Sequence, residues 1–199
     1  MTHDAVVPTG HYEVELKYRM AESAQTWERL LALGATTLAE LTEKDEYWNH
    51  PCRDFRLTDE ALRIRQCGRH AWLTYKGPRE DQQSKMRREI EVKLTPHDDT
   101  GLLWGGLLEA LGFRRVRIVE KRRRRGIVTW EQQDVTWSWD TVPPLGEFLE
   151  LEVLADEHHR WEIRDCLLRL AATLGLKDQE TRSYLQLLIE QDQQGRGGD

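Results

Sequence analysis

The chain has 199 residues, enough for one domain with a sizeable core. It carries 35 Asp and Glu against 29 Lys and Arg, with a net charge of −6 and a pI near 5.7; that balance argues against a general nucleic-acid or membrane-surface binder. Three irregularly spaced cysteines, Cys52, Cys67 and Cys166, read as free thiols of a reducing, cytoplasmic compartment. Residues 1–10 lack a basic, then apolar, secretion pattern, and no apolar run approaches the ~20 residues of a membrane span.

Residues 1–10 are expected to be a flexible N-terminus, followed by a domain over residues 11–190. Residues 12–19 alternate apolar and charged side chains and predict a strand. A helix over residues 23–33, capped by Ser23, buries Trp27, Leu30 and Leu31 and closes at Gly34. Residues 37–48 are mixed and read as a strand that breaks at Asn49-His50-Pro51. Residues 61–67 and 69–76 read as strands joined by a tight turn at Cys67-Gly68, the second ending at Gly77-Pro78. Residues 85–94 alternate again, with Lys85, Arg87, Glu89, Glu91 and Lys93 on one face. A helix over residues 101–111 stops at Gly112. Residues 113–125 predict a long strand that turns at Gly126 and returns over residues 127–131. Strands over residues 135–141 and 147–154 flank a hairpin connection, Val142-Pro143-Pro144-Leu145-Gly146. From Asp156 onward the period is helical, with Trp161, Ile163, Leu167, Leu168 and Leu170 as apolar positions. Gly175 interrupts it, and a last short helix covers residues 183–191. The Gln- and Gly-rich residues 191–199 are expected to be disordered.

The same contrast recurs along these strands: one apolar face and one charged face, the latter at Glu13/Glu15/Lys17, Arg63/Arg65, Glu89/Glu91, Lys121/Arg123 and Glu150/Glu152. Many antiparallel strands of this kind suggest a closed or nearly closed barrel. The charged faces then either meet bulk water or converge on a central lumen. Opposite charges sharing a lumen are costly unless they pair or hold a charged ligand and metal.

Each constellation carries chemistry in the second case. Glu13 with Glu15, and Glu150 with Glu152, are spaced i, i+2, so each pair offers two carboxylates on one side of a strand. If the first and last strands are neighbours, four carboxylates meet, and a divalent cation such as Mg²⁺ or Mn²⁺ relieves their repulsion. Lys17, Arg63, Arg65, Lys76, Lys121 and Arg123 have the parity to face the same space, and their charge suits a linear triphosphate. Surface salt bridges and solvated strand faces are the plainer alternatives. Arg122-Arg123-Arg124-Arg125 also reads as a crude nucleic-acid patch, but its parity divides the four between two faces. Asp140, on the parity of Thr136 and Ser138, is a further metal-ligand or orienting candidate. Trp137 and Trp139 point the other way, toward packing beneath the C-terminal helices. There is no P-loop, GxGxxG or GxSxG.

These residues carry a resemblance. Tyr12-Glu13-Val14-Glu15-Leu16-Lys17 resembles the ExExK signature of the CYTH superfamily, the triphosphate tunnel metalloenzymes. Ala61-Leu62-Arg63-Ile64-Arg65, Leu73-Thr74-Tyr75-Lys76-Gly77-Pro78, Glu120-Lys121-Arg122-Arg123, and Asp140 followed by Gly146-Glu147-Phe148-Leu149-Glu150-Leu151-Glu152 follow in the order of that family. The likeness spans about residues 12–190. It implies an α+β fold: an antiparallel eight-stranded tunnel-like β-barrel with helices packed outside. It implies Mg²⁺ or Mn²⁺ held by Glu13, Glu15, Glu150 and Glu152 with Asp140 assisting. It places a triphosphate on Lys17, Arg63, Arg65, Lys76, Lys121 and Arg123, with Glu89 and Glu91 lining the tunnel. Ser183-Tyr184 with Leu185, Leu187 and Leu188 resembles the family's C-terminal plug helix.

The stretch of residues 45–54, with Phe55 and residues 74–78, looks most like the class IV adenylyl cyclase branch, close to the thiamine triphosphatases. The implied activity is conversion of ATP to cyclic AMP and pyrophosphate, with Glu13, Glu15, Lys17 and Asp140 catalytic. Hydrolysis of inorganic tripolyphosphate or thiamine triphosphate is the alternative, and a non-catalytic polyphosphate-binding module is a third reading. The partners so implied are a small-molecule triphosphate and a second copy of the chain in a homodimer, with no nucleic acid and no membrane.

Overall fold

The computed structural model describes residues 12–81, 83–94 and 100–196; the expected flexible stretch 1–10 lies outside the described residues. Eight strands, β1 (Tyr12–Arg19), β2 (Thr36–Asn49), β3 (Ala61–Cys67), β4 (His70–Lys76), β5 (Arg87–Leu94), β6 (Arg114–Trp130), β7 (Gln133–Val142) and β8 (Gly146–Ala155), pair antiparallel into one closed barrel. Their order around it is β1-β5-β4-β3-β2-β6-β7-β8. Helices α1 (Ser23–Ala32), α3 (Thr100–Ala110), α4 (Arg160–Leu174) and α5 (Tyr184–Arg196), with the single turn α2 (Phe55–Thr58), pack outside. This is the eight-stranded tunnel barrel that the alternation and the resemblance led us to expect.

The period of two explains why the barrel is built with its charges inward. Val14, Leu16, Trp137, Leu149 and Leu151, on the outward faces of β1, β7 and β8, are buried beneath Ile163, Leu167, Leu170 and Leu174 of α4 and Leu30 of α1. Trp27 of α1 meets Trp137 and Trp139 edge-on, with ring centroids 5.5 and 6.0 Å apart. A second core joins Trp48, Leu62, Ile64 and Ala71 of β2–β4 to Leu108 of α3. Hydrophobic burial therefore lies between barrel and helices, and the opposite parity of each strand is left for the lumen.

One end of the barrel is sealed by the segment between α4 and α5. Backbone bonds run from Arg19 N to Asp178 O and from Glu180 N to Lys17 O, each 2.8 Å. The Lys17 ammonium donates to Arg182 O at 2.6 Å, and Arg79 Nη1 to Thr181 O at 3.0 Å. Tyr184, Leu187 and Leu188 of α5 then pack on Tyr47, Val119 and Phe148 at the strand ends.

Several local expectations need correction. Gly126 is not a turn: β6 runs straight through it, and the reversal comes at Glu131 and Gln132, both left-handed at φ 47° and 66°, between the paired Trp130 and Gln133. Gly126 is there for space. A Cβ on it would fall 1.7 Å from Thr36 O and 2.5 Å from Trp137 Cζ2. Ser23 opens α1 without capping it, because its hydroxyl is spent on Glu147 Oε2 at 2.6 Å. Leu31 is 48% exposed; Thr26 takes the buried position beside Leu30. The break after β2 contains α2, whose Asp54 cap accepts from Arg56 N at 3.0 Å. Finally, α5 continues to Arg196 through residues expected to be disordered, and Asp192 there pairs with Arg117; its Gln-rich turns are adequate helix formers.

Two predictions follow from this architecture. Gly126→Ala forces β2 and Trp137 apart and lowers stability by about 2 kcal/mol or more, read as the denaturant midpoint. The second concerns Glu180, which accepts from Arg19 Nη2 at 3.1 Å and Arg182 Nη2 at 2.7 Å. Burial alone would raise its pKa, but the Arg182 and Arg19 hydrogen bonds outweigh burial and hold it at about 2. A depressed folded-state value contributes stability above the ordinary Glu range that fades as the pH falls toward about 2. Wild-type stability therefore drops more steeply between about pH 5 and 2 than that of Glu180→Gln; parallel curves would contradict the assignment.

Candidate active site

Every lumen-facing position follows from strand register, because directly opposed residues share a face. Glu15 lies opposite Glu152, Lys17 opposite Glu150, Asp45 opposite Arg65, Glu43 opposite Lys121, Lys76 opposite Glu89, Thr74 opposite Glu91 and Arg123 opposite Asp140. All of these except Asp45 and Asp140, which lie buried behind the wall, border a cavity of about 580 Å³. Its walls include Glu13, Glu15, Lys17, Arg63, Arg65, Lys76, Glu89, Glu91, Lys121, Arg123, Glu150 and Glu152. The first and last strands are neighbours, so the four glutamates from β1 and β8 do share one wall.

Charge pairing holds this wall together. Lys76 bridges Glu13 and Glu89, the latter at 2.8 Å. Lys85 reaches Glu15 at 2.6 Å. Arg65 forks onto Asp45 with two bonds of 2.7 Å and touches Glu43 at 3.2 Å, while Arg63 meets Asp45 at 3.3 Å. Arg123 binds both Asp140 and Glu150. Burial alone would push the Glu43, Asp45 and Glu150 carboxyls up. The surrounding cations (Arg65 for the first two, Arg123 and Lys121 for the third) outweigh it and hold all three well below the usual range.

Two carboxylates go the other way. Burial, reinforced by Glu89, raises Glu13 despite Lys76. Burial and the Glu13 charge push Glu152 up to about 8, and Glu152 has no ion pair among the described residues. Lys17 is lowered, first by burial and then by the neighbouring Lys85 ammonium. The wall made by β1 and β8 is thus short of positive charge around Glu13 and Glu152. No three acidic or His/Cys side chains converge into a ready-made metal cluster among the described residues, because lysines and arginines occupy the carboxylate oxygens. The cations have the converse shortage: the Nε atoms of Arg63, Arg87 and Arg125 are buried without a hydrogen-bond partner.

Asp140 stands apart from the other site candidates. It is completely buried, does not border the cavity, and accepts from Lys121 at 3.1 Å, from Arg123 at 2.6 and 2.5 Å and from the Tyr184 hydroxyl at 2.9 Å. Its oxygens are committed to holding two lumen cations and the plug helix, which suits an orienting part better than ligation of an ion in the cavity. The inner face of the Arg122–Arg125 run is Arg123 and Arg125; Arg124 stacks outside on Trp27 at 3.9 Å.

Several residues of the site were not singled out as candidates from the sequence: Glu43, Lys85, Arg87, Thr74 and Ser138 on the cavity wall, and Asp45 buried behind it. For Glu43 and Asp45 the i, i+2 spacing was available, but Lys44 between them and Glu46 after them erase the apolar contrast that marks the other strands. Lys85 precedes β5 and is placed by its backbone N–H on Glu15 O at 2.9 Å.

Comparison with known proteins agrees with this geometry. A Methanocaldococcus jannaschii protein, provisionally named an adenylate cyclase, is 35% identical over 178 residues, covering 88% of this chain and 97% of its own. Adenylate cyclase CyaB of Aeromonas hydrophila is 31% identical over 186 residues, covering 88% and 87%. The solved structure of the PH1819 protein from Pyrococcus horikoshii superposes with a TM-score of 0.78 at 38% identity, over 90% of this chain and 99% of that one. The CYTH domain matches residues 11–184, from the strand bearing Glu13 to the tyrosine that plugs the barrel, and this chain belongs to the CYTH family.

Proposed function

We propose that the protein is a divalent-metal-dependent enzyme acting on a triphosphate held in the barrel lumen, and that its reaction is the class IV adenylyl cyclase one, ATP to cyclic AMP and pyrophosphate. The observation that carries the triphosphate reading is the set of unmet guanidinium donors. Arg63, Arg87 and Arg125 each bury an Nε with nothing to donate to, inside a lumen where Arg65, Lys76, Lys85, Lys121 and Arg123 are already paired with carboxylates. A buried donor left unpaired costs roughly 1–3 kcal/mol. A chain of phosphates supplies several acceptors along one line, and forked guanidinium contacts match them.

The carboxylates of Glu13, Glu15, Glu150 and Glu152 fit Mg²⁺ or Mn²⁺ in donor chemistry, being hard oxygens on adjacent strands. The raised Glu13 and Glu152 are what a wall awaiting positive charge should show. When bound, such an ion neutralises phosphate oxygens and sharpens the attacking oxygen. The protein's own part is positioning and charge compensation. Lys121 and Arg123, fixed by Asp140, and Arg63 and Arg65, fixed by Asp45, hold the phosphates in register. In the cyclase reaction the ribose 3′-oxygen forms a bond to the α-phosphorus, its proton leaves, and the bond from that phosphorus to the bridging oxygen breaks to release pyrophosphate. Hydrolysis uses the same grip with water as nucleophile at the terminal phosphorus. The cyclase names of two relatives with more than 30% identity favour the first.

Incubation with Mn²⁺ or Mg²⁺ and ATP is expected to yield cyclic AMP and pyrophosphate. Orthophosphate from tripolyphosphate with ATP untouched would replace the cyclase by a triphosphatase. Glu15→Gln and Glu150→Gln are each expected to lower turnover at least ~100-fold, with folding checked by circular dichroism because the first leaves Lys85 without its carboxylate and the second removes one of the carboxylates on Arg123. Full activity in both would remove the carboxylates from the mechanism. Tight tripolyphosphate binding with no turnover of any triphosphate, unaffected by Glu13→Ala and Glu150→Ala, would leave a binding module.

A further inference from the structure

Among the described residues the lumen is sealed at one end, and its wall changes character toward the other. At the sealed end Lys17, held by Arg182 O, and Tyr184 close the space. Toward the other end three strands lose charge at the last lumen-facing position. On β2 the sequence Asp45, Glu43 ends in Leu41. On β8 Glu150, Glu152 ends in Leu154, and on β4 Lys76, Thr74 ends in Trp72. Leu154 is 44% exposed and Leu38, beside Leu41, is 54% exposed, yet both border the same cavity. The indole of Trp72 belongs to none of the buried clusters. Trp72 is partly buried and meets the His70 ring at 5.9 Å; the apolar surface that these side chains still turn to a charged cavity is open to a ligand.

Resting on the triphosphate reading of the inner wall, we infer that Trp72, Leu41 and Leu154 form a head-group subsite at the mouth of the well. There the flat unsaturated ring of a nucleoside triphosphate stacks on Trp72, with its terminal phosphate directed inward toward Lys17 and Tyr184. Phosphate gains nothing from leucine or indole, whereas a nucleobase has two π faces to stack. Gln133 and Asp134, at the same mouth on the start of β7, supply an amide and a carboxylate for the polar ring edge. Asp134 Oδ1 accepts from Thr129 at 2.9 Å, which fixes its carboxylate and leaves the second oxygen to a ligand amine. The well therefore has a direction, and the mouth selects esters over bare tripolyphosphate.

The test is calorimetric binding of ATP and of inorganic tripolyphosphate in EDTA, where the proposed metal-dependent turnover is suppressed. Trp72→Ala is expected to weaken ATP about ten-fold and to leave tripolyphosphate within two-fold; Trp72→Phe retains most of the ATP affinity. Leu154→Ala, on the opposite side of the mouth, gives a smaller loss of the same selectivity and serves if Trp72→Ala fails to fold. Unchanged ATP affinity in Trp72→Ala and Leu154→Ala, or equal losses for both ligands, would overturn the subsite while leaving the triphosphate well intact. Failure of the wild-type protein to bind either ligand in EDTA and again with Mn²⁺ present would remove the triphosphate reading itself, and the subsite with it.

Discussion

The structure depends on compensation between acidic and basic side chains inside a barrel that excludes much of the water. Arg65 forked on Asp45, Arg123 shared by Asp140 and Glu150, and Lys76 shared by Glu13 and Glu89 are the main clamps. At low dielectric an isolated charge is expensive and an opposed pair is strongly held. The lumen network is therefore a condition for the barrel to close with its charged face inward. The apolar energy that pays for it sits outside, where α1, α3 and α4 cover the other face.

That compensation is close without being complete, and its two deficits have opposite sign. Glu152 has no ion pair among the described residues and Glu13 shares its one cation, Lys76, with Glu89, and both carboxyls are raised. Around Arg63, Arg87 and Arg125 the wall lacks acceptors. A divalent cation answers the first deficit and a polyanion the second, so the pair of ligands is matched to the residual charge of the wall. A purely structural ion-pair network would have no reason to leave both deficits in one cavity.

Much of this was legible in the sequence because a strand buried on one face has a period of two, and here both faces announce themselves. The parity of Glu13/Glu15/Lys17, Arg63/Arg65, Lys121/Arg123 and Glu150/Glu152 leaves solvent or a shared lumen open, and the ordered family motifs decide for the barrel that brings them together. What failed did so for identifiable reasons. Gly126 was read as a turn because glycine commonly marks one; its actual part is to let β2 and Trp137 approach, which depends on partners distant in the chain. Glu43 and Asp45 lie in a strand charged on both faces, so parity alone could not single them out. Asp140 has the right parity, but only its ion pairs and the Tyr184 hydroxyl show that it orients cations from behind the wall.

The most direct measurement is diffraction from crystals grown with Mn²⁺ and α,β-methylene-ATP. The account predicts three phosphorus positions within the barrel, contacted by Arg63, Arg65, Lys121 and Arg123, and anomalous manganese density on the side of Glu13, Glu15, Glu150 and Glu152. Nucleotide or manganese bound only outside the barrel, with the lumen ion pairs undisturbed, would contradict it.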